Sequence, residues 1–168
     1  IHSRAGVAAR LRRNCSAFFS RRDNTSLTVA SPLGKGSCAA REAPARPEDG
    51  YHLAVLNVGD SRVYLFAGGT LTRLTEDHSL VETLVREGRI TAAEAEVHPQ
   101  RNVLTRALGV EALVVVDAWL LSPRDDDRLL LCSDGLFNEL SEDRIAEILG
   151  EGDDPEVSAR RLAAEADA

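Results

Sequence analysis

The sequence has no methionine, a single lysine (Lys35), three cysteines and few aromatic residues, 4% of its 168 positions. Each scarcity excludes something. Cys15, Cys38 and Cys132 are odd in number and no two have a C-x-x-C spacing. Neither a disulfide framework nor a cysteine zinc site fits such a set. No apolar run approaches the roughly 20 residues that a membrane-spanning helix requires. The basic start is not followed by the apolar stretch of a signal peptide, so a cytoplasmic protein is expected. The missing methionine, and an end that falls inside a helical pattern, lead to the expectation of a fragment.

What is present is ordinary for a globular domain. Hydrophobic residues make up 43% of the chain, enough for one core. Charge is divided unevenly. Residues 1–41 hold eight basic side chains and one acidic one, Asp23, whereas the rest holds 12 basic and 26 acidic. A basic arm can bind nucleic acid or a membrane surface. This one lacks sustained periodicity and interleaved aromatics, so no nucleic-acid partner is expected. Residues 1–50 are read as a disordered or non-native leader, and residues 51–168 as the folded part.

Residues 51–58 are apolar and β-branched enough for a buried strand, and Val63–Phe66 for a second. Gly68-Gly69 supplies the positive φ values of a tight hairpin turn, after which Leu71–Leu74 returns as a third strand. The three together are expected to form an antiparallel meander. Ser79 and Glu82, then Thr91 and Glu94, have the S/T-x-x-E spacing of a capping box and predict two helices, the second stopping before Pro99. Residues 112–121 and Arg128–Cys132 predict two more strands, the latter apolar on both faces and so central. Ser141 caps a helix to Leu149, and Asp154-Pro155 opens a last one. This order of elements predicts an α+β fold rather than regular βαβ winding.

Three segments carry candidate chemistry. Asn57-Val58-Gly59-Asp60-Ser61-Arg62 puts a carboxylate at a strand end, where Gly59 permits a sharp turn. A plain turn-closing Asp is the structural alternative. Leu129-Leu130-Leu131-Cys132-Ser133-Asp134-Gly135 delivers Asp134 from a fully apolar strand. A carboxylate there is costly unless exposed, hydrogen-bonded or bound to a cation. Mg²⁺ and Mn²⁺ favour such an oxygen ligand, and a helix N-cap is the alternative. The third segment runs from Leu74-Thr75-Glu76-Asp77-His78-Ser79 to His98-Pro99-Gln100-Arg101-Asn102-Val103-Leu104-Thr105-Arg106. Arginine's planar fork suits phosphate, although salt bridging is its commoner use. A lone histidine is more often a surface or capping group.

In this order and at these gaps, NVGDSR, LTEDHS, HPQRNVLTRALG and LLLCSDG resemble the bacterial PPM-type metal-dependent protein serine/threonine phosphatases. The resemblance covers residue 51 to the C-terminus. It implies an α-β-β-α sandwich of two antiparallel sheets flanked by helices, incomplete in this chain. By the same resemblance Asp134 is a ligand of a catalytic Mn²⁺ or Mg²⁺, and Asp60 helps hold a third, weaker metal. Residues 83–102 correspond to a mobile flap beside the substrate cleft, with His98, Arg101 and Asn102 near its base. The implied reaction is hydrolysis of phosphoserine or phosphothreonine in phosphoproteins, the substrates of serine/threonine kinases, by a metal-activated water. The family's phosphate-gripping Arg, its Glu-Asp pair and its Asp-Gly-Met-Gly-Gly-His motif have no counterpart, and its final Asp-Asn motif is not in place. No catalytic residue is therefore identified, and weak metal binding with little turnover is expected. The alternative is a degenerate, non-catalytic module that binds phosphoproteins or a kinase.

Overall fold

The structure is a computed structural model. It describes the strands Ser16–Phe19, Leu27–Ala30 and Ser37–Ala43, and residues 52–111, 113–122 and 124–168. Among the described residues, eight strands form two four-stranded sheets, antiparallel throughout. The first sheet has the order β1 (Ser16–Phe19), β8 (Arg128–Cys132), β5 (Arg62–Ala67), β6 (Thr70–Arg73). The second has the order β2 (Leu27–Ala30), β3 (Ser37–Ala43), β4 (His52–Val58), β7 (Asp117–Leu121).

Strand alternation sorts the side chains into two cores. Val63, Leu129 and Leu131 of the first sheet meet Leu53 and Val55 of the second, with Trp119 and Leu121 packed around them. This cluster lies between the sheets. The opposite faces of β5 and β8 present Tyr64, Leu130 and Cys132 to the helices. Those helices are α3 (Asp134–Phe137), α4 (Glu142–Gly150) and α5 (Pro155–Ala166), which contribute Leu136, Ile145, Ile148, Leu149 and Leu162. Strand β8, buried on both faces, is the central strand its unbroken apolar run predicted. Ser141 accepts from the Arg144 N–H and caps α4. Asp154 caps α5, with Pro155 in its first turn.

The expected α+β fold with two antiparallel sheets is observed. A helical layer covers the first sheet. The outer face of the second, where Leu56 is 36% and Leu120 65% exposed, has no helical layer among the described residues.

Two expectations are corrected. The first is the meander. The hairpin of β5 and β6 is present, with Gly68 and Gly69 at φ 57° and 82° and Ala67 paired with Thr70. Strand β4, however, pairs with β3 and β7 in the other sheet. Residues 59–61 carry the chain across the roughly 10 Å between packed sheets, and Gly59 makes that step at φ 105°. Sequence adjacency predicted a hairpin where the chain instead changes sheets. The second correction concerns residues 1–50. Three strands lie inside the segment read as a leader: β1 pairs with β8, β3 with β4, and β2 with β3. SAFF and LTVA are runs of only four residues and SCAAREA is rich in Ser and Ala, so none stands out as a strand, and the partner of β1 lies far along the sequence. The rest of that segment lies outside the described residues. The strand predicted over 112–121 is observed as Asp117–Leu121.

Candidate active site

The two candidate carboxylates are brought to one end of the first sheet. Strands β5 and β8 are neighbours, and their last registered pair is Arg62 with Cys132. Asp60 and Asp134 each lie two residues beyond that pair, at the same end. Asp60 follows the positive-φ Gly59 in the crossover between the sheets and is half-buried; Ser61 beside it is buried. Asp134 is exposed and opens α3. The N-cap itself is Ser133, whose side chain makes no cap hydrogen bond. The structure thus places Asp134 one residue inside the helix, free of capping duty.

Arg62 fastens these two ends together. Its Nε donates to Asp77 Oδ1 and Oδ2 at 3.0 and 3.1 Å, and its Nη2 to Oδ2 at 2.6 Å. Its guanidinium lies 3.6 Å over the centroid of the Phe137 ring, in the helix that Asp134 begins. Its Nη1 donates to the Tyr64 hydroxyl at 3.2 Å. Burial alone would lower the Arg62 pKa, but the hydrogen bond and charge of Asp77 hold it above its ordinary value. Burial pushes the Tyr64 phenol up, so it stays a neutral hydrogen-bond partner.

The second fastening runs through His78. This histidine is 3% exposed, not the surface or capping group that base expectation gave it. Its Nδ1 accepts from the Gly59 N–H at 3.0 Å, and its own backbone N–H donates to the Gly59 carbonyl at 2.9 Å. Its Nε2 lies 3.0 Å from Asp117 Oδ2. A backbone N–H is always a donor, so Nδ1 is the bare nitrogen and Nε2–H donates to the carboxylate. Asp117 is also held by Arg106, whose Nη1 reaches Oδ1 at 2.6 Å. The Arg106 hydrogen bond, and then that of His78, hold the Asp117 carboxyl below the usual range against a burial that would raise it. Buried Asn57 donates to the Gly59 and Glu76 carbonyls at 3.4 and 3.3 Å, while its Oδ1 has no partner among the described residues.

The segment that the resemblance assigns to a flap forms the two helices expected from its caps. Helix α1 (Leu80–Arg86) starts on Ser79, which accepts from the Glu82 N–H. Helix α2 (Ala92–Glu96) starts on a complete Thr91–Glu94 capping box, whose hydrogen bonds from the Thr91 backbone and then its side chain hold the Glu94 carboxyl low. His98 turns inward on its own segment, accepting from the Gln100 N–H at 3.1 Å. Arg101 and Asn102 are exposed. The segment is docked just beyond them: Leu80 N–H donates to the Val103 carbonyl, and Thr105 N–H to the His78 carbonyl, each at 2.8 Å. Arg106 serves the salt bridge rather than phosphate. It also lines a cleft of about 350 Å³ with its neighbours in 104–107 and with residues 110, 111 and 113–115. Sequence reasoning missed Asp117. The available signal was one carboxylate in the apolar run Val114–Leu121, which demands a buried partner.

Asp60 and Asp134 are hard oxygen donors of the kind Mn²⁺ and Mg²⁺ take. Among the described residues there is no group of three or more His, Cys, Asp or Glu side chains able to hold a metal. The pair therefore falls short of a two-metal centre and does not by itself support a hydrolytic step.

Two antiparallel sheets packed face to face, with helices over one of them, define a two-sheet α+β protein, and two candidate carboxylates lie where neighbouring strands β5 and β8 end. The chain belongs to the protein phosphatase 2C family, whose model matches residues 8–168. It is 50% identical over 97 residues to the serine/threonine phosphatase stp of Listeria welshimeri, covering 58% of this chain and 38% of that protein. The crystal structure of the Mycobacterium tuberculosis serine/threonine phosphatase PstP/Ppp matches with a TM-score of 0.66 at 40% identity, over 78% of this chain and 53% of that one. The catalytic domain of PstP in complex with two manganese ions matches with a TM-score of 0.59 at 37% identity, over 78% and 52%. The chain spans about half or less of the length of these relatives.

Proposed function

We propose that this chain is part of a metal-dependent protein serine/threonine phosphatase that hydrolyses phosphoserine and phosphothreonine in phosphoproteins. The observation that carries the reading is the placement of Asp60 and Asp134 at one end of β5 and β8, within a family match that takes in nearly the whole chain. Asp134 is proposed as a ligand of a catalytic Mn²⁺ or Mg²⁺ and Asp60 as a ligand of a weaker one. Two manganese ions in the related PstP domain support that choice of metal. When bound, such metals supply a water of lowered pKa as the attacking group. Arg101 and Asn102, exposed at the end of the flap, are proposed to meet substrate together with His98; a guanidinium suits a phosphorylated side chain. The proposed setting is cytoplasmic, consistent with Cys132 as a buried thiol outside any disulfide. Among the described residues no helix is long and apolar enough to cross a membrane.

Two experiments test this. Amide spectra of the ¹⁵N-labelled chain titrated with Mn²⁺ should broaden first around Asp60 and Asp134, and Asp134→Ala should weaken that broadening. Broadening elsewhere, or none at millimolar Mn²⁺, would remove both residues from the site. Hydrolysis of p-nitrophenyl phosphate with Mn²⁺ should be slight, because two carboxylates alone hold the metal weakly. Brisk Mn²⁺-dependent turnover that Asp134→Ala abolishes would show that the donor set is complete.

A further inference from the structure

In the crossover that carries Asp60, Gly59 exchanges two hydrogen bonds with His78, besides the one its carbonyl accepts from Asn57. We propose that His78 is a positioning residue for Asp60: it clamps the Gly59 peptide and ties that turn, through Asp117 and Arg106, to the end of the flap segment. The inference rests on the reading of Asp60 as a metal-site residue.

Three observations carry it. The first is that His78 and Gly59 exchange two hydrogen bonds. The imidazole Nδ1 takes the Gly59 N–H and the Gly59 carbonyl takes the His78 N–H, at 3.0 and 2.9 Å. Both polar groups of a glycine at φ 105° are thereby fixed, and glycine is the residue whose backbone would otherwise be freest. Asp60 is the next residue, so the direction of its Cα–Cβ bond follows from how Gly59 is held. The second is that the imidazole is itself held on its far side. Its Nε2–H donates to Asp117 Oδ2, and Asp117 is gripped by Arg106. Asp117 begins β7 and pairs in register with Asn57 of β4, so this anchor belongs to the second sheet. The third is that the His78 carbonyl accepts from the Thr105 N–H, and Ser79 bridges Leu104. One residue thus joins the Asp60 turn, the start of β7 and the return of the flap segment. A histidine there for packing alone would not need both ring nitrogens engaged in opposite senses.

The two ring functions can be separated. In His78→Asn the side-chain carbonyl oxygen occupies the place of Nδ1 and can take the Gly59 N–H, while the link to Asp117 is lost. In His78→Gln the terminal amide nitrogen occupies the place of Nε2 and can serve Asp117, while the link to Gly59 is lost. Amide hydrogen exchange at Gly59 should therefore accelerate on the order of tenfold in His78→Gln and change little in His78→Asn. The Mn²⁺ concentration needed to broaden the amides at this strand end should rise in His78→Gln and stay near the wild-type value in His78→Asn. Equal behaviour of the two variants in Gly59 exchange and in Mn²⁺ response, in either direction, overturns the proposal. In case both substitutions unfold the chain, the wild-type ring decides: ¹⁵N shifts of His78 must show Nε2 protonated and Nδ1 bare. The opposite tautomer overturns the proposal without any variant. Should Mn²⁺ broaden no residue of the wild type, the metal-site reading of Asp60 fails, and Gly59 exchange still decides whether His78 holds the turn.

Discussion

Replacing Arg62 by methionine removes a cation and keeps most of the apolar stem. The structure allows the cost to be built up. Arg62 and Asp77 side chains are 18% and 9% exposed, so solvent screens their pairing little. Hydrogen bonds to a charged partner contribute about 1.5–3 kcal/mol net. The stack on Phe137 adds about 0.5–2 kcal/mol. Asp77 would be left as a poorly solvated carboxylate without its cation, a situation that costs about 3–5 kcal/mol when one partner of a buried pair is deleted. These are overlapping descriptions of one loss, so Arg62→Met is expected to destabilise by about 3–5 kcal/mol in all. That is a large part of the roughly 5–15 kcal/mol available to a domain. Urea unfolding followed by circular dichroism measures it, with an unchanged m-value as the check that the transition is comparable. Asp77→Asn and the double variant complete a cycle. A coupling energy of about 2 kcal/mol is expected, because a neutral amide in place of the Asp77 carboxylate no longer needs the cation. Additivity of the two substitutions to within about 0.5 kcal/mol would refute the reasoning, and would mean that the ion pair is ornamental to the packing of Phe137.

Two further outcomes follow from the core and from Asp117. Leu131 is fully buried between the sheets, and Leu131→Ala should cost about 2–5 kcal/mol in the same urea assay, since sheets anchored on both sides collapse poorly onto a cavity. Because its folded pKa is depressed below 3.8, Asp117 contributes stability that is in place above that pH and is lost as pH falls through the folded value. Melting temperature should therefore drop on acidification below pH 3.8 by less in Asp117→Asn than in the wild type, and a parallel drop in both would contradict the Arg106 and His78 contacts.

What the sequence disclosed depended on how local the cause was. Caps, tight turns and the unbroken apolar run of β8 are decided within a few residues, and Ser141, Thr91, Gly68-Gly69 and Leu129–Leu131 all do what their neighbours dictate. The motif order pointed to the family and to the two carboxylates. Pairing between distant strands leaves no such local mark. Asn57-Val58 and Val63-Tyr64 look like arms of one hairpin, yet they belong to different sheets, because both present apolar side chains to the same interior. The strands within residues 16–43 were invisible for a related reason: their registry is dictated by their partner strands, not by their own short patterns. His78 and Asp117 were obscure because each is unremarkable alone and acquires its role only from the other.

The register of β5 with β8 also decides when the acidic strand end can exist at all. Val63 meets Leu131 only after β6, both flap helices and β7 have been made, and Ser16 waits longer still for Cys132. Such non-local pairing is slow, on the order of milliseconds to seconds for β-rich domains. During synthesis, β4 and β5 leave the ribosome before β7 and β8, the later strands that pair with them. The hairpin of β5 and β6 can close early on its two glycines, but Asp60 and Asp134 reach a common strand end only when the chain has grown past residue 134. Until that point β5 lacks its β8 partner along one edge, and such an unpaired strand edge is open to wrong association.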